Sequence, residues 1–233
     1  ENFSEEAMIR LFCGWDKREA AGLSVFVNSV VSRASEPVAI IPIHGKQSNG
    51  SNTFTYSRFN IPSLCDYEGW AIFADGSDMV CTADIVELWK LRDEKYAVQV
   101  VKNTYKTNAK IKYIGTDMEC PNIDYERKNW SSVMLVNCEH KANKFKAQNS
   151  LISHQFNWLT SSQIGALPAE WNWLCDEYGE NKKAKILHWT QGIPGFEHYR
   201  NAPMSKAWMT EKDDTFRGLQ LGEKQFHFYE LSS

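Results

Sequence analysis

The sequence predicts an α/β fold in which a mostly parallel central sheet is flanked by helices. Three stretches lead to this prediction: a strand, helix and strand over residues 8–42, an apolar strand at 70–74, and a late apolar strand at 184–189. The order strand, helix, strand favours a right-handed crossover between parallel strands. An apolar run without alternation is typical of a strand that is buried on both faces.

The length and composition are those of one globular domain. A chain of 233 residues with 42% apolar and 24% charged residues is long enough to bury one substantial core. We therefore expect a single domain over residues 1–233. The net charge of -3 argues against a protein that binds nucleic acid through a broad basic surface.

The cysteines and tryptophans give less specific information about the function of the protein. The six cysteines are scattered without a C-x-x-C pair, which predicts free thiols in a reducing, cytoplasmic compartment. No signal peptide and no segment long enough to span a bilayer is visible in the sequence. The nine tryptophans either pack in the core or stack on sugar or base rings.

The first elements bring small and charged residues to the end of a strand. Residues 8–13 form an apolar strand, and Gly14, Asp16 and Arg18 follow it, directly before a helix predicted over 19–33. Gly14 permits a close turn at the strand end, where a nucleotide has room to bind. One glycine is a weaker signal than a G-x-G-x-x-G motif, which the chain lacks.

Arg58 lies in a short helical stretch that leads into the strand at 70–74. Two interpretations of this arginine stay open. It is either a surface charge or a planar fork that donates hydrogen bonds to phosphate or sugar oxygens.

The stretch at 69–89 is the centre of the prediction. The apolar strand at 70–74 ends at the sequence DGSD (75–78), apolar character resumes at Met79, and Asp84 then stands as the N-cap of a short helix. Asp75 and Asp78 therefore place hard oxygen ligands at the edge of a sheet, where the ligands of open sheets bind.

His188 ends the late strand and is followed by a loop rich in glycine and proline that contains Gly192. Because the ends of parallel strands meet at one edge of a sheet, we expect His188 close to Asp75 and Asp78. Two carboxylates and one imidazole suit Mn²⁺, and Mg²⁺ as the alternative. The competing interpretation of the acidic turn is an ordinary Asp/Gly loop.

The rest of the chain is predicted in outline. Strands are expected at 96–101 and 131–138, a polar stretch of the kind that carries specificity at 102–124, and a helix at 204–216.

Seven segments, in the same order, resemble the GT-A glycosyltransferases, and specifically the family-8-like group that includes glycogenin and bacterial lipopolysaccharide galactosyltransferases. The first three resemble the uridine-binding start, the arginine-bearing helix and the D-x-D segment of that group: LFCGWDKRE (11–19), SRF (57–59) and FADGSDMVCTADIVELW (73–89). The next two resemble the strand that ends in an asparagine near the donor sugar and the D-Q-x-x-x-N segment: SSVMLVNC (131–138) and HQFNWL (154–159). The last two resemble the leucine-proline-tryptophan-asparagine stretch and the H-x-x-G motif: LPAEWNWL (167–174) and HWTQGIPGF (188–196).

The resemblance implies transfer of a hexose from a UDP-sugar to a hydroxyl of a glycan or lipid-linked glycan, with retention of configuration. It implies a single GT-A domain with a nucleotide-binding half at 8–100, a donor-sugar and acceptor half at 101–200, and a C-terminal helix and tail at 201–233. Nucleic acid is not an expected partner, and peripheral association with a membrane is one option. The metal ligands would be Asp75, Asp78 and His188. The donor nucleotide would be bound by Gly14, Asp16, Arg18, Arg58, Ser77 and Gly192. The catalytic residues would be Asn137, His154 and Gln155. Arg58, Asn137 and Gln155 would line the donor sugar.

The chain departs from the family pattern at three places. The two aspartates of the D-x-D motif stand one residue further apart, at Asp75 and Asp78. The lysine that follows the H-x-x-G motif is absent, and Lys17, Arg18 or Arg58 would have to replace it. His154 occupies the position of an aspartate.

Two other classes of protein compete with a glycosyltransferase. One is a protein that binds a sugar or nucleotide-sugar without catalysis, in which the wider acidic turn and the missing lysine reflect lost chemistry. The other is a glycosidase, which needs two acids about 5–10 Å apart across a cleft. Asp75 and Asp78 lie in one turn and fit that requirement poorly.

Overall fold

The computed structural model describes residues 8–45, 52–144 and 151–217. All twelve predicted site residues lie within these ranges, whereas the predicted C-terminal tail from 218 onwards lies outside them. The strands are β1 (Ile9–Gly14), β2 (Val38–Ile43), β3 (Trp70–Ala74), β4 (Met79–Cys81), β5 (Val98–Val100), β6 (Ile111–Lys112), β7 (Cys120–Pro121), β8 (Val133–Asn137), β9 (Ile164–Ala166), β10 (Trp173–Leu174) and β11 (Ile186–His188). The α-helices are α1 (Ala20–Val31), α2 (Ile61–Leu64), α3 (Ile85–Trp89), α4 (Leu151–His154), α5 (Cys175–Tyr178) and α6 (Ser205–Thr215).

Six strands form the central sheet, in the order β2-β1-β3-β8-β5-β9. Strands β1, β2 and β3 are parallel to one another, and β5 is parallel to β9. Strand β8 runs antiparallel to both of its neighbours. The predicted α/β fold with a mostly parallel sheet is therefore confirmed. The segments 8–100 and 101–200 share this sheet, because β5 lies between β8 and β9.

The reversed direction of β8 corrects one expectation. Asn137 ends this strand, but it pairs with Trp70 at the start of β3, whereas Val133 pairs with Ala74 at the end of β3. At about 3.4 Å per residue, Asn137 lies ~13 Å from the edge at which the acidic turn begins. Asn137 therefore lies away from the acidic turn, because the start of β8 lies at that edge and its end does not.

The central sheet is covered on both faces, as the apolar runs predict. Along β3, Ile72 and Ala74 pack on one side with the apolar stripe of α1, and Ala71 and Phe73 pack on the other. A second, three-stranded sheet has the order β10-β11-β4 and packs with α6 around Val80, Leu187, Trp189 and Trp208. Strands β6 and β7 form a short hairpin within the polar stretch predicted at 102–124.

The helix boundaries follow from local capping. Asp16 caps a 3-10 turn at Lys17–Glu19 that leads into α1, and the Asp84 side chain accepts a hydrogen bond from the Val86 amide (2.9 Å) at the start of α3. Helix α6 confirms the helix predicted at 204–216. It docks on α1 through Glu211, which accepts hydrogen bonds from Asn28 and Arg33.

Gly22 in α1 allows the helix to approach the acidic turn closely. A Cβ atom added at this position would lie 2.0 Å from the backbone oxygen of Ser77. The side-chain hydrogen bond between Ser29 Oγ and the Cys81 amide (2.9 Å) fixes the same helix to β4. The position of the acidic turn therefore depends on the absence of a side chain at residue 22.

We expect Gly22→Ala to destabilise the protein although alanine favours helices. The gain in helix propensity is about 1 kcal/mol, whereas overpacking against backbone costs about 1–3 kcal/mol. The free energy of unfolding, measured in urea, should fall. The control is Ser24→Ala on the exposed face of α1, which should change it by less than about 0.5 kcal/mol. A Gly22→Ala protein as stable as the wild type would contradict this account of the packing.

Candidate functional site

A cleft with a volume of about 390 Å³ opens beside the ends of β3 and β11. Its lining includes five of the predicted site residues: Arg58, Asp75, Asp78, His154 and His188. The other seven predicted residues do not line it: Gly14, Asp16, Arg18, Ser77, Asn137, Gln155 and Gly192.

The acidic turn is built by backbone contacts on both sides. The Asp75 amide donates to Ser132 O (2.9 Å) at the start of β8, and the Met79 amide donates to Gly76 O (3.0 Å). Gly76 has a φ of +77°, and a Cβ at this position would press on Leu23 and Phe26. The turn therefore requires glycine at residue 76 and holds both carboxylates at fixed positions.

His188 reaches this turn by a route that differs from the predicted one. It does not lie at the edge of the parallel sheet. Strand β11 pairs antiparallel with β4, so that His188 stands opposite Met79, and the Trp189 amide donates to Asp78 O (3.0 Å). The expected convergence is found, but antiparallel pairing in the second sheet produces it.

Asp75, Asp78 and His188 form a buried cluster that fits a divalent cation. Each offers one ligand atom, and these atoms lie within 4.8 Å of one another. The three residues are 9%, 6% and 1% exposed. His188 Nε2 lies 3.3 Å from Asp78 Oδ2, whereas the buried Asp78 Oδ1 has no hydrogen-bond partner. An unpartnered buried carboxylate oxygen is costly unless a cation or proton compensates it, and the donor set suits Mn²⁺ or Mg²⁺.

The electrostatics of the cluster reflect charges held out of water. Burial raises the pKa of Asp75, with a further rise from Asp78 that the charge of Arg58 partly opposes. Burial lowers the pKa of His188, but Asp78 and Asp75 more than offset this, and the pKa is raised above its ordinary value. A bound divalent cation would favour the charged carboxylates and the neutral imidazole.

Arg58 belongs to the site and is not a surface charge. Its Nη1 lies 2.6 Å from Asp75 Oδ1 and donates to Ser131 O (2.9 Å), and its Nε donates to Thr55 O (3.0 Å). The guanidinium lies 4.8 Å from the centre of the Phe73 ring. These contacts hold Asp75 through the Nε and Nη1 atoms of the arginine.

Asn172 orients the imidazole of His188. Its Nδ2 donates to Asn129 O (2.9 Å), so its Oδ1 faces His188 Nδ1 at 2.9 Å. The Nδ1 atom therefore carries a proton, and in the neutral imidazole Nε2 then holds the lone pair with which it could bind a cation. Sequence reasoning found the stretch LPAEWNWL but gave Asn172 no role, because its partner becomes adjacent only when β10 pairs with β11.

His154 lies on the cleft wall as a neutral group. Burial, together with the charges of Arg58 and Lys112, lowers its pKa to about 3. Its Nδ1 lies 2.8 Å from Ser131 Oγ, and its ring packs against those of Tyr56, Phe59 and Tyr125. At neutral pH, His154 therefore presents an uncharged, aromatic-lined surface to the cleft.

Three of the predicted nucleotide-binding residues are engaged in local structure. Both carboxylate oxygens of Asp16 accept hydrogen bonds from Arg18 (2.9 and 2.8 Å), and one of them also accepts from the Thr53 amide. A Cβ at Gly14 would lie 2.2 Å from the Phe54 ring. These residues pack the segment around 53–55 against the end of β1.

Ser77 and Gly192 also lie outside the cleft lining, and both take part in local structural contacts. Ser77 Oγ donates to Glu19 Oε2 (3.1 Å), a carboxylate that is itself buried below the acidic turn. Burial and the charge of Asp78 raise the pKa of Glu19 to about 8. A Cβ at Gly192 would lie 2.3 Å from the Tyr199 ring, so the glycine allows Tyr199 to pack there.

Gln155 and Asn137 are not at the cluster. The Gln155 carbonyl accepts a hydrogen bond from Arg127, and Asn137 sits at the far end of β8, where its Oδ1 accepts from the His140 amide (3.2 Å). The groups that reach the cleft from the start of β8 are Asn129, Ser131 and Ser132. The sequence does not reveal that β8 runs antiparallel to its neighbours. It therefore gives no signal that the start of β8, and not its end, reaches the cleft.

One curated relative decides the family. Protein CDI of Arabidopsis thaliana is 34% identical over an alignment of 234 positions, gaps included, that covers 91% of this chain and 88% of that protein. The chain belongs to the CDI family. No protein-family model matches the sequence.

Solved structures of glycosyltransferases share the fold of this CDI family member. The bifunctional glycosyltransferase WbbM has a TM-score of 0.64 at 16% identity, over 95% of this chain and 52% of WbbM. The galactosyltransferase LgtC, solved with donor and acceptor sugar analogs, has a TM-score of 0.59 at 10% identity. The match covers 90% of this chain and 99% of LgtC. GlyE of Streptococcus pneumoniae TIGR4 has a TM-score of 0.58 at 13% identity. The match covers 88% of this chain and 60% of GlyE. The chain spans about half the length of WbbM.

These likenesses establish the GT-A fold of the chain.

Within the described residues, no helix combines the length and apolar character needed to cross a membrane.

The role of Asn172 is open to a direct test. Asn172→Leu removes the acceptor of the His188 Nδ1 proton, and loss of such a partner lowers metal affinity by about 10–100-fold. Asn172→Asp keeps an acceptor oxygen and should lose less. Mn²⁺ affinity is measured by calorimetry and folding by circular dichroism. Wild-type affinity in a folded Asn172→Leu protein would contradict the assigned role.

Proposed function

We propose that this protein is a metal-dependent glycosyltransferase of the family-8-like type. It transfers a hexose from a nucleotide-sugar, which we take to be a UDP-sugar, to a hydroxyl of a glycan or lipid-linked glycan. The observation that supports this most is the buried cluster of Asp75, Asp78 and His188 on the wall of a cleft in a GT-A fold. We propose that residues 1–233 act as one catalytic domain in the cytoplasm.

The chain's own residues define how the donor would be held. Asp75, Asp78 and His188 would ligate Mn²⁺ or Mg²⁺, with Arg58 fixing Asp75 and Asn172 fixing His188. Such a cation supplies electrophilic assistance, since it neutralises the charge that develops on a diphosphate leaving group. The orphaned Oδ1 of Asp78 is the atom of this cluster that most needs a cation.

The cleft wall beyond the cluster suits an uncharged sugar ring. Tyr125 and the neutral His154 offer aromatic surface there, and Ser131 and Asn129 offer polar groups. Among the described residues that line the cleft, Asp75 and Asp78 are the two carboxylates, and both belong to the metal cluster. This arrangement supports retention without a protein nucleophile, in which the leaving phosphate helps to deprotonate the acceptor. It also disfavours a glycosidase, which needs one acid on each side of the scissile bond.

The experiment that tests the proposal is a measurement of UDP release. Wild-type protein is incubated with a panel of UDP-sugars and glycan acceptors, with Mn²⁺ and with a chelator. We expect release that depends on Mn²⁺. Binding of UDP-sugars without turnover across the panel would favour a non-catalytic binding protein instead.

Variants of the cluster make the test specific. Asp78→Asn and His188→Ala should each lower UDP release to the level seen with the chelator, without unfolding the chain, because each removes a metal ligand. Asp117→Asn removes an exposed carboxylate near the hairpin and is the matched control. Near-normal activity of either cluster variant in Mn²⁺ would remove that residue from the site.

A further inference from the structure

A groove with a volume of about 540 Å³ lies on the same edge of the central sheet as the cleft. It is lined by residues that follow β5, by residues at the end of β9, and by Trp173 and Tyr178. Val100 of β5 and Phe73 of β3 both pair with Met134 of β8, so the ends of β3 and β5 are level. At a strand spacing of about 4.8 Å, β5 lies ~10 Å and β9 ~14 Å from β3. The groove therefore begins a short distance along the edge from the acidic turn.

Two aromatic rings form one side of the groove. Trp173 and Tyr178 are both half-buried, and their ring centres lie 5.2 Å apart with the planes tilted by 55°. Trp173 Nε1 donates to Gly179 O (2.9 Å), which fixes the orientation of the indole. Rings of this kind combine apolar surface with polar atoms that are already paired. They can pack against the apolar C–H face of a sugar.

Asn103 places an unpaired amide group in the wall of this groove. The residue lines the groove and is 9% exposed. Its Oδ1 accepts a hydrogen bond from the hydroxyl of Tyr178 (3.2 Å), whereas its buried Nδ2 has no hydrogen-bond partner among the described residues. Nδ2 carries two donors, and a buried donor without an acceptor is unfavourable. A hydroxyl oxygen of a bound ligand would supply the missing acceptor.

The charge of the groove suits an uncharged ligand. Lys102 is the one charged side chain among the described residues that line it. Its ammonium donates to Ile164 O (2.8 Å), and an ammonium has three donors in all, so it can also donate to a ligand oxygen. The groove thus offers ring faces and hydrogen-bond donors without a carboxylate. These features match the C–H faces and the hydroxyl groups of a neutral sugar.

A rigid wall joins the groove to the cleft. Asn129 lines the cleft, and its Nδ2 donates to the hydroxyl of Tyr105 (2.6 Å). The Tyr105 ring packs edge-on against the ring of Tyr178, with 6.0 Å between the centres. Trp130 Nε1 donates to Asn103 O (2.8 Å) on the same wall. The spacing between the groove and the candidate metal cluster is therefore fixed, and it is a spacing that a chain of several sugars can bridge.

We propose that this groove binds a sugar of an oligosaccharide acceptor whose terminal sugar lies in the cleft. The acceptor role rests on the proposed function. It makes the acceptor a neutral glycan of several sugars, bound by Trp173, Tyr178 and Asn103 as well as by the cleft. A proline-rich peptide is another ligand that packs on aromatic rings, but the position of the groove beside a glycosyl-transfer cleft favours the glycan.

The first test measures binding of neutral tetrasaccharides of glucose, xylose, mannose and galactose by calorimetry. We expect the wild type to bind at least one of them. Ala169→Arg places a long side chain in the groove from an exposed position, so it should abolish this binding without unfolding the chain. Asn103→Leu removes the amide donor and should weaken binding roughly fivefold. The control is Ser24→Arg, which adds the same charge on the exposed face of α1 and should bind as the wild type does.

The second test measures UDP release in Mn²⁺ with the bound tetrasaccharide and with the corresponding monosaccharide as acceptors. Ala169→Arg should raise the KM for the tetrasaccharide, because it blocks the groove. It should leave the KM for the monosaccharide and the affinity for UDP unchanged, because neither ligand reaches the groove.

The outcomes separate the groove from the proposed function. If no tetrasaccharide binds the wild type, if a proline-rich peptide binds the groove in their place, or if a folded Ala169→Arg protein binds them equally well, the assignment of the groove is wrong. The proposed function then still stands wherever Mn²⁺-dependent UDP release is seen. If Ser24→Arg weakens binding as much as Ala169→Arg, the effect is one of net charge and the assignment is also wrong. If tetrasaccharides bind through the groove but no UDP-sugar is turned over, the acceptor role falls together with the proposed function.

Discussion

The antiparallel pairing of β4 with β11 is the constraint on which the candidate site depends. Strand β4 leaves the acidic turn directly, and the pairing sets His188 opposite Met79, beside Asp78. Without this register, the two carboxylates would remain an acidic loop at the end of β3. The second sheet is small, but it joins residues that are separated by more than a hundred positions in the chain. Its packing with α6 around Trp189 and Trp208 stabilises that register.

The chemistry of the cluster follows from burial. Charges removed from water must be paired, and here Arg58 compensates Asp75 while one oxygen of Asp78 stays without a partner. Such an incomplete network is unfavourable in a protein that only needs to fold. A divalent cation bound between these side chains would compensate it. The surrounding residues Gly22, Gly76 and Asn172 hold the ligands in place, and each does so through a contact that tolerates little change.

The hairpin and the loop after His188 complete the cleft. The fold of the central sheet is shared with glycosyltransferases of very different sequence, so the sheet alone does not define what the cleft binds. The hairpin contributes Lys112 and Tyr113 to the cleft lining, and the loop after His188 contributes Thr190. The hydrogen bond between Tyr113 and Gln191 joins these two elements.

The sequence by itself determined the features that depend on neighbouring residues. The apolar run of β3, the turn at 75–78, the cap at Asp84 and the helices α1 and α6 follow from side-chain periodicity and turn chemistry, which act over a few residues. Only the tertiary structure decided which strands pair and in which direction. The reversal of β8 moves Asn137 away from the cleft and brings Ser131 and Ser132 to it. The pairing of β10 with β11 gives Asn172 its contact with His188. Strand pairing is settled by packing between distant segments, and no local pattern in the chain records it.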